Sequence, residues 1–194
     1  MTAAPEQTGL KPEEEPPSSS GPRAVIALSL EAPESWPLPE EELRAVIEQA
    51  AGAALAVAKA DGTVVERDGV PPLIDVVLVD DETMRTVNAE WRGKDSPTNV
   101  LSFPAGEMPF VPDAPWPLGA LMLAGGVLQR EAEARGVSLA DHLSWMVVHG
   151  ILHLLGYDHE QGEAEAEHME ALERAALKRL GLPDPYAEAA PSAG

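Results

Sequence analysis

Apolar positions along the chain alternate between two spacings, and the spacing predicts the elements. Arg23 to Leu30 and Leu73 to Asp80 are β-branched, apolar runs of strand length, and Asn99 to Phe103 and Leu118 to Leu123 are shorter runs of the same kind. Between and after them the repeat lengthens to that of a helix. Leu43, Val46, Ile47, Ala50, Ala54 and Val57 place a helix over 40–60. Met84, Val87, Asn88 and Trp91 share one face of a second, which Asp81 is expected to cap. A third helix follows Gly125-Gly126 and ends near Gly136. Ser138 is the expected N-cap of a long apolar fourth, and Met169, Leu172, Ala176 and Leu180 face inward on a fifth over 163–180. Prolines fill 105–117, which reads as a loop. The order β-α-β-α-β-β-α-α-α predicts an α+β fold: a small mixed sheet of about four strands packed by about five helices.

Residues 1–22, rich in Pro, Glu, Ser and Gly, read as a disordered tail; 23–182 as a single domain; and 183–194 as a C-terminal tail. The chain of 194 residues suits one domain with a real core. Aromatics are only 4%, so that core must be built from Leu, Val, Ala and Ile. No apolar run is long enough for a membrane span, and the first residues lack the pattern of a secretory signal, so a cytoplasmic protein is expected. The absence of cysteine removes any disulfide framework. Only 13 basic residues face 33 acidic ones, a net charge of −20. That excludes a general nucleic-acid-binding surface, so any work on RNA must rest on a local cationic site.

The chemistry concentrates at the end of the fourth helix. His149, His153 and His159 are three of five histidines, spaced H-x3-H-x5-H, with Gly156 between the second and third. On a helix, His149 and His153 are i and i+4 and project from one face. Gly156 can end the helix in the left-handed conformation, so that the chain turns and returns His159 to the same point. Three imidazoles so placed can hold one divalent ion, and three protein ligands are what a catalytic zinc has, with a water in the fourth place. The spacing is that of the metzincin proteases, H-E-x-x-H-x-x-G-x-x-H, except that Gly150 stands where their general-base glutamate would be. Ligands are present and the base is gone.

The rest of the cleft is expected to be plainer. Arg92 alone reads as a helix-end cation, and Lys94 and Arg85 as surface charges that could line a groove with it. Asn99 and Ser102 read as strand-end residues, His142 as an unliganded helix residue and His168 as solvent-facing. Trp36, Trp91, Trp116 and Trp145 read as packing residues rather than base-stacking platforms.

The HGILHLLGYDH block (His149 to His159), Arg92-Gly-Lys-Asp95, Thr98-Asn-Val-Leu-Ser-Phe-Pro104, Leu118-Gly119, Arg130-Glu131-Ala132, and Met169 with Glu173 together resemble the bacterial YbeY family, over about Leu73 to Leu182. Arg23 to Asp68 agrees with it only in layout. The resemblance implies a single-strand-specific endoribonuclease acting in 16S rRNA 3′-end maturation and ribosome quality control. It implies one zinc per chain on His149, His153 and His159, and an essential role for Arg92. The partners implied are single-stranded RNA or rRNA and the small ribosomal subunit with its assembly factors, with no DNA and no membrane. Ala120 departs from the family, which commonly has aspartate after the Leu-Gly pair.

The chemistry so implied is metal-assisted phosphodiester hydrolysis, with His149 in the catalytic centre and Arg92 contacting a phosphate. Asp158 is expected to orient an imidazole. The proton acceptor stays open between Asp158, a substrate phosphate oxygen and hydroxide on the metal. Two alternatives stand beside this reading: a zinc-dependent peptidase or amidase, and a non-catalytic ribosome-assembly factor with a structural metal.

Overall fold

The computed structural model describes residues 23–106, 109 and 111–187. The segment 1–22 expected as a tail lies outside them, as do residues 188–194 of the C-terminal one. Four strands form one sheet: β1 (Val25–Leu30), β2 (Pro72–Val79), β3 (Val100–Pro104) and β4 (Trp116–Ala124), in the order β1-β2-β4-β3. β1 and β4 run parallel to β2, whereas β3 is antiparallel to β4, so the sheet is mixed. Parallel pairing of β1 with β2 requires a crossover, and α1 (Glu40–Ala60) supplies it. α2 (Asp81–Arg92), α3 (Gly125–Arg135), α4 (Leu139–Leu154) and α5 (Glu163–Arg179) complete the described helices, apart from a short 3-10 turn at Pro33–Ser35. The α+β class and the element order are as the apolar spacing predicts.

Alternation along the strands decides which helices cover which face. Ile74, Val76, Leu78, Leu121 and Leu123 point to one face and are buried with residues of α1, α4 and α5 in the main core. Val79, Leu101 and Ala124, joined by Met84 of α2 and by partly buried Val77, Phe103 and Met122, form a smaller core on the other face. The metal-helix candidate α4 is therefore a core element, packed between the sheet, α1 and α5. Of its sixteen residues, ten are buried. A helix so held can fix the direction of its few polar side chains.

The structure alters some expected details. Asp80, not Asp81, caps α2: its carboxylate accepts from the Thr83 amide at 2.7 Å. Asp81 reaches across instead to the start of α3, accepting from the Val127 amide at 2.9 Å and pairing with Arg130 at 2.7 Å. The carboxylate thus satisfies a free amide at a neighbouring helix's N-terminus, which local spacing does not reveal. β4 begins at Trp116, inside the stretch read as a loop, because pairing with β2 extends back to Pro72. The spacing puts Trp91 on the inward face of α2, yet it is 69% exposed, edge-on to Phe103 with centroids 5.4 Å apart. It lies in the last turn of α2, against edge strand β3, where little remains to cover it.

Candidate metal centre

α4 starts with the Ser138 hydroxyl accepting from the Asp141 amide at 3.0 Å and carries His149 and His153 in its last two turns. It ends at Leu155 in a Schellman turn: the Gly156 amide bonds the His153 carbonyl and the Tyr157 amide the Leu152 carbonyl, each at 3.0 Å. Gly156 has φ +94°, which its lack of Cβ permits. The turn is fixed from outside by Tyr157, whose hydroxyl donates to Asp61 at 2.8 Å and lies 2.7 Å from the Thr63 hydroxyl. The Asp61 carboxyl is held below its usual range, chiefly by that Tyr157 hydroxyl and then by His168, 3.0 Å away. After the turn, both Asp158 oxygens are engaged, one by the Glu160 amide at 2.9 Å and one by Gln161 Nε2 at 3.2 Å.

This local architecture brings the three histidines together. Ligand atoms of His149, His153 and His159 all lie within 4.8 Å of one another, and the Nε2 atoms of His149 and His153 are 3.1 Å apart. Nitrogens around a tetrahedral zinc with bonds of ~2.05 Å stand ~3.3 Å apart, a spacing close to that of the His149–His153 pair, with His159 within reach of both. Burial, and then the neighbouring His149 and His159, lower the pKa of His153. That shift favours the neutral imidazole, the form in which histidine acts as a ligand.

His149 is aimed by a partner that the spacing did not single out. Its Nδ1 donates to Glu173 Oε1 of α5 at 2.7 Å, which directs Nε2 toward the other two histidines. Glu173 is 1% exposed. Burial opposes its ionisation, but hydrogen bonds from His149, Tyr186 and Trp145, with the His149 charge, outweigh it and lower its pKa. The sequence names Glu173, with Met169, only as part of the family resemblance; a glutamate amid inward Met169 and Leu172 is the signal for its role at the site. Asp158, expected in the orienting role, makes its described hydrogen bonds within the turn and acts on His153 and His159 through its charge.

The histidines open on a cleft of about 510 Å³ also lined by Arg92, Asn99, Ser102 and Glu160. Arg92 enters from the end of α2, where left-handed Gly93 (φ +68°) ends the helix, and stands 3.7 Å from Glu160. Both members are exposed, so the pair is weak and Arg92 is free to exchange partners. Asn99 donates to Glu131, which also bonds buried His142 at 2.8 Å, and the Ser102 hydroxyl donates to the Gly150 carbonyl at 3.2 Å. Arg85 is occupied by Glu82 and Asp95. Trp36 and Trp116 are buried, and Trp145 donates its indole N–H to Glu173 at 2.6 Å.

Two sequence oddities find their explanation here. A Cβ on Gly150 would lie 2.8 Å from Leu121 Cδ2 and 3.2 Å from the Ser102 hydroxyl, so α4 and the sheet approach too closely for a glutamate. Ala120 pairs with Phe103 and alternates with Leu121, which puts it on the sheet face away from α4. An aspartate there would not point at the histidines.

Sheet, central helix and histidine triad together define an α+β protein with a potential three-histidine metal centre. The family described as Endoribonuclease YbeY matches residues 31–181. The chain belongs to the YbeY family. The match begins well before Leu73, where the recognisable motifs start. Among its relatives, the Endoribonuclease YbeY of Novosphingobium aromaticivorans is 54% identical over 121 residues, covering 59% of this chain and 72% of the relative. The Endoribonuclease YbeY of one Rhodopseudomonas palustris strain is 48% identical over 153 residues, covering 77% and 85%.

Proposed function

We propose that this chain is a zinc-dependent endoribonuclease that cuts single-stranded RNA, with the 3′ end of 16S rRNA as its target, in the cytoplasm and beside the small ribosomal subunit. Two things support the reading: the relatives are named as endoribonucleases, and three imidazoles and a guanidinium converge on one open cleft. The observation that carries it is the convergence. With a net charge of −20, the surface at large repels a polyanion, so Arg92 and the histidine-held ion are what would attract a phosphate.

His149, His153 and His159 would hold the ion, with His149 fixed by Glu173 and His159 by the turn that Tyr157 braces. A divalent ion there supplies Lewis acidity toward a phosphoryl oxygen and eases ionisation of water. Arg92 exchanges Glu160 for a phosphate oxygen pair, a bidentate contact suited to guanidinium, and offsets the charge that builds up as the phosphodiester is attacked. Peptide hydrolysis of the metzincin kind needs a carboxylate at 150, and the packing of Leu121 leaves no room for one.

The test uses the purified chain with a short single-stranded RNA, the same RNA in a duplex, and a peptide substrate. Cleavage of the single strand alone, lost in Arg92→Ala, is the expected result. Peptide hydrolysis without RNA cleavage would replace the reading with the amidase alternative, and ribosome-related activity retained by a dead site would favour the assembly-factor one.

A further inference from the structure

The family match ends at residue 181, yet the chain continues in ordered contact with the site. Tyr186 donates its hydroxyl to Glu173 Oε2 at 2.5 Å, the same oxygen that accepts from Trp145. The other oxygen of Glu173 takes the His149 N–H. The segment is not lying there loosely. The Tyr186 amide bonds Asp184 at 2.9 Å, Arg174 pairs with Asp184 at 3.4 Å, and the Arg174 guanidinium lies over the Tyr186 ring at 4.7 Å. The ring itself meets Trp145 edge-on, with centroids 5.7 Å apart.

We propose that Tyr186 is a positioning residue of the metal centre, acting through Glu173 on His149, and that residues 183–187 complete the site. A buried carboxylate with one donor can rotate about its terminal torsion, which is broad. Donors on both oxygens fix its plane. Trp145 alone already gives Oε2 one donor; the Tyr186 hydroxyl adds a second from another direction, which opposes the tilt that a single indole N–H still allows, so Oε1 is held where His149 needs it and the imidazole keeps its direction. Burial, then the hydrogen bond to Glu173 and its charge, raise the phenol's pKa above its usual range, so Tyr186 remains a donor.

The inference rests on the proposed metal binding only for its functional consequence, and its test needs no RNA. The variant is Tyr186→Phe in the full chain, which keeps the ring against Trp145 and Arg174 and removes the hydroxyl alone. In the metal-free protein, exchange of the His149 Nδ1 proton with solvent, followed by nitrogen-edited NMR, is expected to speed up several-fold. Zinc affinity, from competition with a chromophoric chelator, is expected to fall roughly 3–10-fold, less than the 10–100-fold typical of a group bonded directly to the ligand.

A lower thermal midpoint with unchanged His149 exchange would assign Tyr186 to packing and overturn the proposal. Zinc affinity within twofold of wild type would overturn it too, where the wild type binds zinc. If the wild type takes up no zinc, the proposed function fails and the exchange measurement still decides this inference. If zinc affinity falls but RNA is never cut, the inference stands and the nuclease reading does not.

Discussion

Gly150→Ala puts the missing-base argument to a quantitative test. The added methyl would sit 2.8 Å and 3.3 Å from the two terminal carbons of Leu121. Carbon atoms pack at ~3.5–4.0 Å, so Leu121 must retreat by about 1 Å. It is fully buried in the main core and has nowhere free to go. Overpacking of this kind costs about 1–3 kcal/mol. Replacing a helical glycine by alanine returns about 1 kcal/mol. A net loss of about 1 kcal/mol is expected, read as a lower urea midpoint at unchanged slope. The sharper reading is the cycle with Leu121→Ala. In that background the methyl enters a cavity, so Gly150→Ala should become stabilising, giving a coupling of about 1–2 kcal/mol. Equal effects in both backgrounds would refute the close approach, and with it the steric reason for glycine at 150.

Glu173→Gln should weaken zinc binding roughly 10–100-fold. It should also cost the metal-free protein about 1–3 kcal/mol, since one donor then faces an amide N–H. Because the folded pKa of Glu173 is depressed, its contribution is complete above the unfolded value of 4.5 and vanishes as pH falls through the folded one. The wild-type advantage over Glu173→Gln in urea melts should therefore shrink below about pH 4.5, and a constant gap would contradict the assignment. Tyr157→Phe removes the contacts to Asp61 and Thr63 that brace the turn before His159; about 1–2 kcal/mol of stability and a few-fold faster zinc release are expected. Arg92→Ala should leave zinc content unchanged while cutting RNA cleavage roughly 10²–10³-fold, the scale of losing one charge-stabilising donor. Restoration by Arg92→Lys to near wild-type rates would argue against a bidentate contact.

The sequence made the frame and the ligands legible because both rest on short-range periodicity. Period-two and helical repeats located the four strands and five described helices, and the histidine spacing with Gly156 located the triad. What it concealed depends on contacts between elements distant in the chain. Glu173 lies 24 residues from His149, and only the packing of α5 on α4 joins them. Tyr186 fell in a segment whose prolines and small residues read as tail. Local spacing gives Asp81 to its own helix, whereas its partner is the start of α3, 46 residues on. Trp91 followed the periodicity of α2, but periodicity does not show where the sheet beneath a helix ends. Gly150 looked like a lost glutamate; the sheet's approach makes it a packing requirement.

Whether the three histidines hold a catalytic ion is decided by one paired measurement. Zinc content and single-stranded RNA cleavage should be determined on the same preparations of wild type and His149→Ala, with circular dichroism to confirm folding. About one zinc per wild-type chain is expected, with loss of both metal and cleavage in a folded variant. Cleavage that survives in a zinc-free, folded His149→Ala protein would contradict a catalytic ion at the histidines.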